Sequence, residues 1–230
     1  VQSKGNHIDF PAFLASVTHD MKNSLGMLLN TLDEIISLCS HQPCASSGLL
    51  SQIQYEGKRV NNNLIQLLTI YKMDNSLFSL NISLNQVSEF MEEIILLNKP
   101  LSAMKGIEIL SECSADLLWF FDYDLISGVI NNILDNAFKY TRDKIWIAAH
   151  ETNEFLNISI EDNGSGYPEY LLGCESTGTE SVNFETGSTG LGLYFASQAA
   201  RMHKNKGKEG FISISNNGNY SGGCFTIALP

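Results

Sequence analysis

Long apolar runs are missing from this 230-residue chain: none approaches the ~20 consecutive residues that a membrane-crossing helix needs. No signal-peptide pattern opens it either, an absence that is still compatible with a longer, membrane-anchored parent. Basic side chains are scarce, 14 against 25 acidic, for a net charge of −11. A nucleic-acid binder needs a basic footprint to neutralise phosphates, so this balance argues against nucleic acid as a partner. Any phosphate-bearing ligand must instead be held by a few placed cations, by backbone N–H groups or by a metal ion. Paired cysteines are missing too. Cys39, Cys44, Cys113, Cys174 and Cys224 are odd in number and contain no CxxC, so they read as small apolar residues of a reducing cytosol and not as a zinc site. Internal repeats and low-complexity segments are absent.

What is present begins with helical periodicity. Leu14, Val17, Met21, Leu25, Leu28, Leu32, Ile35 and Cys39 follow one another at spacings of three and four, one apolar stripe of a long helix. The segment "HQPCASSG" (41–48) breaks the pattern and reads as a loop. A second stripe follows at Leu49, Ile53, Val60, Leu64, Leu67 and Tyr71, with Gly57 where an apolar residue is expected. A glycine there should weaken the helix by up to ~1 kcal/mol relative to alanine. One hairpin of two such helices cannot bury both stripes, so pairing with a second copy into a four-helix bundle is the natural solution.

From about residue 78 the pattern changes. "LFSLNIS", "IEILSEC", "KIWIAAHE", "FLNISIED", "GFISISN" and "CFTIALP" read as strands, and 87–105, 122–140 and 191–203 as helices. This mixture predicts an α+β chain: the hairpin, then an α/β sandwich with helices on one face of a single sheet.

Four short patterns carry chemistry. In "FLASVTHDMKNSLGMLLNTL" (13–32), His19 falls at heptad position f when Leu14, Met21 and Leu28 are a, so it points away from the apolar seam. From this segment alone a solvated surface histidine is the simpler reading. Asp20 adjoins it and Asn23 lies one turn on, however, and an exposed imidazole with a carboxylate to orient it can act as a nucleophile. In "NNILDNAFKYT" (131–141), Asn132, Asn136 and Lys139 share one helix face. Asparagines are poor helix formers, yet here they sit among Ile130, Ile133, Leu134, Ala137 and Phe138. A neutral amide oxygen suits Mg²⁺, and a neighbouring lysine can meet phosphate oxygens. "IEDNGSGYP" (160–168) places Asp162 at a strand end before Gly164 and Gly166; alone it reads as a turn. "GSTGLGLYFASQAARMH" (187–203) opens a helix with Gly190 and Gly192, whose amides form a ready anion site.

Taken in order, helical His-Asp, N-x-x-x-N-x-x-K, D-x-G-x-G and T-G-L-G-L, this combination over residues 10–230 resembles the catalytic core of bacterial sensor histidine kinases. The resemblance implies a dimerisation and histidine-phosphotransfer hairpin over 1–77 and a catalytic ATP-binding domain over 78–230. "HDMKNSL" looks like the phosphoacceptor box, so His19 would attack the γ-phosphoryl group of ATP, with Asp20 as the assisting carboxylate. Asn23 matches the position that orients water for dephosphorylating a partner. By the same resemblance Asn136 would ligate Mg²⁺ with Asn132 in support, Lys139 would contact phosphates and Tyr140 would cover the adenine. Asp162 would accept the adenine amine, with Gly164 and Gly166 giving the ring room. Thr189, Gly190, Leu191 and Gly192 would form the hinge of the ATP lid and the phosphate cradle. Implied partners are a second copy (a homodimer) and a response-regulator receiver domain, with no nucleic acid and no direct membrane contact in this segment. The implied location is cytoplasmic, as the inner part of a membrane sensor.

Three departures stand out. Ser24 occupies the place of a usual proline, the lid over 167–189 offers only Phe184 for a phenylalanine-rich box, and "HKNKGKEG" replaces the usual His-Gly-Gly. The lid's composition predicts a mobile segment. Two other readings compete with an active kinase. A degenerate kinase would act as a dimerising partner without useful autophosphorylation. A gyrase-like ATPase would activate water with a carboxylate on helix 87–105, where Glu89, Glu92 and Glu93 lie.

Overall fold

The structure, a computed structural model, describes residues 21–23, 25–33, 35–36, 47–172 and 190–230. The chain divides into two compact units, Val1–Phe78 and Ser79–Pro230.

In the first unit, residues 21–23, 25–33 and 35–36 are helical and α1 spans Ser47–Asp74. Leu29, Leu32, Gln66 and Ile70 are buried. The glycine that interrupts the apolar stripe has a packing reason: a Cβ at Gly57 would stand 2.7 Å from Leu29 Cδ2. One turn away, the Gln54 amide donates to Asp33. Leu29 therefore meets residue 57 while Asp33 meets residue 54, so these two helical stretches run in opposite directions where they touch. Apolar side chains at intervals of seven remain exposed on both: Met21, Leu28 and Ile35 on one, Ile53, Val60 and Leu67 on the other. His19 and Asp20 lie outside the described residues.

The second unit opens with β1 (Ile82–Gln86), followed by α2 (Val87–Lys105), β2 (Glu108–Cys113), β3 (Leu118–Asp122) and α3 (Tyr123–Tyr140). Then come β4 (Lys144–Thr152), β5 (Phe155–Asp162), a 3₁₀ turn at Glu169–Leu171 and α4 (Gly190–Met202). Four strands close the chain: β6 (Lys204–Asn205), β7 (Lys208–Glu209), β8 (Phe211–Ser215) and β9 (Cys224–Leu229). The main sheet has five strands in the order β2-β4-β5-β9-β8. Only β2 and β4 are parallel in it; the other neighbours are antiparallel. Strands β1 and β3 form a separate antiparallel pair, Ile82 opposite Asp122, and β6 and β7 another.

Period-two alternation puts Ile145 and Ile147 of β4, Leu156, Ile158 and Ile160 of β5, and Phe225 and Ile227 of β9 into one buried layer. The helices cover that layer with Ile126, Val129, Ile130, Ile133 and Leu134 of α3 and Ala196, Ala199 and Ala200 of α4. Helix ends follow their chemistry. Asp122 caps α3 by accepting from Leu125 N–H at 3.0 Å, and Gly106 closes α2 in the left-handed region at φ 65.

The strand expected at 77–83 is shifted to Ile82–Gln86, because its register is set by pairing with β3. Strand β3, "LWFFD", escapes the periodicity reading: its run is short and Leu118 and Phe120 stay exposed beside buried Phe121.

Candidate functional site

Helix α3 is the axis of the site. Its side chains divide into faces, and the three asparagines fall on different sides of that division. Asn131 is structural: its amide donates to Ser127 carbonyl at 2.9 Å, and its oxygen accepts from Asn98 of α2 at 2.8 Å. Asn136, half-buried one turn further along, makes no side-chain hydrogen bond to a described residue. Asn132, one turn before it, faces the start of α4, since a Cβ at Gly192 would stand 2.5 Å from Asn132 Oδ1. Gly192 thus admits the asparagine amide against the first turn of α4, where backbone N–H groups lack helical partners. Lys139 and Tyr140 are exposed in the last turn of α3.

The far end of α3 meets the loop after β5. A Cβ at Gly164 would lie 2.1 Å from Tyr140 carbonyl oxygen and 2.8 Å from Asp162 Oδ1. Asp162 itself is buried, 9% exposed, and its Oδ1 accepts from Gly164 N–H at 2.7 Å. Burial pushes its carboxyl up from the ordinary value, while the N–H groups of Gly164 and Gly223 pull it back down. Its own N–H donates to Gly223 carbonyl at 2.9 Å. From Asn132 to Tyr140 is eight residues, about 12 Å along a helix axis. One face of α3 therefore joins the start of α4 to a buried carboxylate across roughly the length of a small nucleotide.

Several residues of this neighbourhood are not visible in the motif reading. Asn163, inside the quoted "EDNGSG", ties the loop to the end of α3 by accepting from Thr141 hydroxyl at 3.0 Å and donating to Asp143 at 2.7 Å. Gly222 and Gly223 close over Asp162: a Cβ at Gly222 would be 2.5 Å from its Oδ1, and one at Gly223 would be 2.9 Å from its Oδ2. The "SGG" preceding the last strand is the only sequence signal for them. Tyr167, whose hydroxyl pKa burial and the Asp162 charge push up, lies 2.9 Å from that same Gly223 Cβ position. The space beside Gly166, at φ 76, is filled by the Asn216 amide. Both loop glycines thus make room for protein atoms.

Lysine and carboxylate placement elsewhere separates the alternatives. Tyr123 hydroxyl donates to Glu93, Asn98 meets Asn131, and Lys105 Nζ donates to Phe138 carbonyl at 3.0 Å, so α2 and α3 run side by side in the same direction. Glu93 therefore sits beside the start of α3, thirteen residues or about 20 Å before Asn136, and Glu89 is further still. A water-activating carboxylate on α2 does not reach the Asn136 region. Of the remaining residues singled out, Asn23 is helical and exposed, Gly190 and Leu191 open α4, and Thr189 lies outside the described residues along with the lid over 173–189. Cys113 and Cys224 are half-buried free thiols.

A helix bearing paired asparagines, a buried carboxylate after a strand and a glycine-opened second helix thus meet on one mixed sheet of an α+β unit. Residues 121–230 match the family described as Histidine kinase-, DNA gyrase B-, and HSP90-like ATPase. The chain is similar to the catalytic cores of bacterial sensor histidine kinases. It is 25% identical over 162 residues to the sensor protein SrrB of Staphylococcus aureus (strain N315), which covers 69% of this chain and 28% of SrrB. It thus spans little more than a quarter of that relative's length. Among solved structures it shares the fold of Acinetobacter baumannii histidine kinase AdeS, with a TM-score of 0.60 and 21% identity over 92% of this chain and 96% of that one. Full-length ShkA in complex with AMPPNP matches with a TM-score of 0.66 and 19% identity over 96% of this chain and 46% of that one. No helix among the described residues is long and apolar enough to cross a membrane.

Proposed function

We propose that this chain is the kinase core of a two-component sensor: it binds ATP, transfers the γ-phosphoryl group to His19, and passes it to an aspartate of a response-regulator receiver domain. The observation that carries the reading is the single face of α3. It holds the amide of Asn136, unpaired among the described residues, meets Gly192 of α4 through Asn132, and ends against the Asp162 loop. Asp162 accepts the exocyclic amine of adenine, a recognition a buried carboxylate performs well because no water competes for it. Tyr140 covers the ring. Lys139 and the amides of Gly190, Leu191 and Gly192, with Thr189 before them, receive the phosphates, where the positive end of the helix dipole favours them.

The donor set fits a magnesium ion of the substrate. No group of three or more His, Cys, Asp or Glu side chains converges among the described residues, which disfavours a metal held by protein alone. Mg²⁺ prefers few protein ligands and keeps water and phosphate oxygens, so the Asn136 oxygen suffices to hold it, with Asn132 in support. Bound there, the ion would neutralise charge developing on the phosphates. In the transfer a ring nitrogen of His19 forms a bond to the γ-phosphorus as the bond to the ADP oxygen breaks. Asp20 orients the imidazole and takes its proton. A carboxylate oxygen of the receiver then displaces the histidine from phosphorus, and Asn23 positions the water that later hydrolyses the resulting aspartyl phosphate, releasing inorganic phosphate.

The hairpin over 1–77 supplies this histidine and dimerises, and 78–230 supplies the nucleotide. Support for the first part is the opposed packing of Leu29 on Gly57 and Asp33 on Gln54. The exposed heptad-spaced residues Met21, Leu28, Ile35, Ile53, Val60 and Leu67 would be covered by a second copy. We place the whole in the cytoplasm. Calorimetric titration with ATP in Mg²⁺ tests the nucleotide half. Asp162→Asn and Asn136→Ala should each weaken binding at least about tenfold, the loss of one well-placed charged or metal-linked contact. Parent-like affinity in both variants would remove the site.

A further inference from the structure

Among the described residues, the loop that carries Asp162 has no strand beside it after residue 162, yet it is held in place from outside. Segment 216–223 joins β8 to β9, and its first residue, Asn216, reaches Tyr167. Tyr167 N–H donates to Asn216 Oδ1 at 2.7 Å, and Asn216 Nδ2 donates to Tyr167 carbonyl at 2.8 Å. One amide side chain thus pairs with both backbone groups of a single residue, as an adjacent strand would. The arrangement needs Gly166: its φ of 76 turns the chain toward Asn216, and a Cβ there would stand 2.7 Å from the amide oxygen. At the other end of the same segment Gly222 and Gly223 press on Asp162, with Glu161 accepting from Asn219 N–H at 2.8 Å and Tyr220 stacked on Trp146 at 3.3 Å between ring centroids. The Asp162 loop is therefore clasped at Asp162 and at Tyr167 by one connection rooted in the sheet.

We propose that Asn216 is the positioning residue of the base pocket: by pinning Tyr167 it fixes the 164–167 backbone against which Asp162 is oriented, and so sets discrimination between adenine and other bases. This rests on the reading that Asp162 receives adenine. Guanine carries a carbonyl where adenine carries its amine, so a rigidly aimed carboxylate rejects it, whereas a loose one discriminates less. A residue that merely stabilised the fold would change affinity for both bases alike.

The test is calorimetric titration of the full chain with ADP and, separately, GDP at a temperature well below unfolding. Asn216→Ala should weaken ADP binding about tenfold and GDP binding less than about twofold, lowering the ADP-to-GDP preference severalfold. Phe155→Leu, which disturbs the Phe155–Phe211 edge contact at the far end of β5, lowers stability without touching the clasp and should leave the preference unchanged. An unchanged preference in Asn216→Ala overturns the proposal. Should that variant fail to fold, Asn216→Asp keeps the shape and the acceptor but loses the donor to Tyr167 carbonyl, and a parent-like preference in it would count equally against the idea. Asp162→Asn separates the two levels: if it too leaves the preference unchanged, the base-site reading has failed and not the clasp alone.

Discussion

Replacing His203 by phenylalanine should be among the costliest single changes outside the proposed nucleotide site. The ring is 2% exposed; its Nδ1 lies 2.8 Å from Ala199 carbonyl and its Nε2 accepts from Asp122 N–H at 3.0 Å. The acceptor role of Nε2 places the proton on Nδ1, so the neutral ring bridges the end of α4 to the residue that caps α3. Phenylalanine keeps the volume and orphans both backbone groups. At about 1–3 kcal/mol for each unsatisfied buried group, less what the more apolar ring gains, the net loss is roughly 2–4 kcal/mol. For a unit of this size that lowers the unfolding midpoint by roughly 5–15 °C. Burial depresses the His203 pKa, opposed by Ala199 carbonyl and the Asp122 carboxylate. The unfolded histidine takes its proton near pH 6.5, above the folded value, so the unfolded chain binds more protons as pH falls. His203 therefore contributes stability fully above pH 6.5 and loses it on acidification, by at most about 1.4 kcal/mol per pH unit. The assay is tryptophan fluorescence during thermal unfolding at a series of pH values, since both tryptophans, Trp119 and Trp146, lie in the second unit. His203→Phe should unfold earlier at pH 7.5 and show a flatter acid limb. A variant as stable as the parent, or one with the parent's acid slope, refutes the reasoning.

Three other expectations follow from packing. Gly164→Ala puts a methyl 2.1 Å from a backbone carbonyl, where no side chain can yield, and should cost about 3 kcal/mol or more in the same fluorescence assay; a midpoint within about 2 °C of the parent contradicts it. Gly192→Ala meets only the flexible amide of Asn132 and gains up to about 1 kcal/mol of helix propensity, so stability should hold while ATP affinity falls severalfold by calorimetry. Unchanged affinity would show that Asn132 has no part in binding. The double change Leu28→Lys and Val60→Lys places charges on the exposed heptad positions and should shift the chain from dimer to monomer in sedimentation; a persistent dimer would put the interface elsewhere.

Elements with a long, clean period are legible in the amino-acid pattern itself. Helix 87–105 and strand 155–162 match α2 and β5 at both ends, and the α3 stripe is off by one residue. Strand β3 is not legible, because four apolar and aromatic residues without alternation, followed by Asp122, become a strand only through partner β1. The proposed site follows the same rule. Asp162 and Asn136 stand out as types that cost energy where they sit. Asn163, Asn216, Gly222 and Gly223 act through contacts 20 to 60 residues distant in sequence, which no local pattern encodes. The glycines show the difference best: sequence reads Gly164, Gly166 and Gly192 as access for a ligand, while the protein groups that a Cβ at each would meet are visible only in the fold.

Phosphoryl transfer from ATP to one histidine is the central claim, and incubation with Mg²⁺ and γ-labelled ATP tests it most directly. The expected label is lost in acid, survives base, and disappears in both His19→Gln and Asn136→Ala. Label that persists in His19→Gln, or none in the parent despite nucleotide binding, would contradict it.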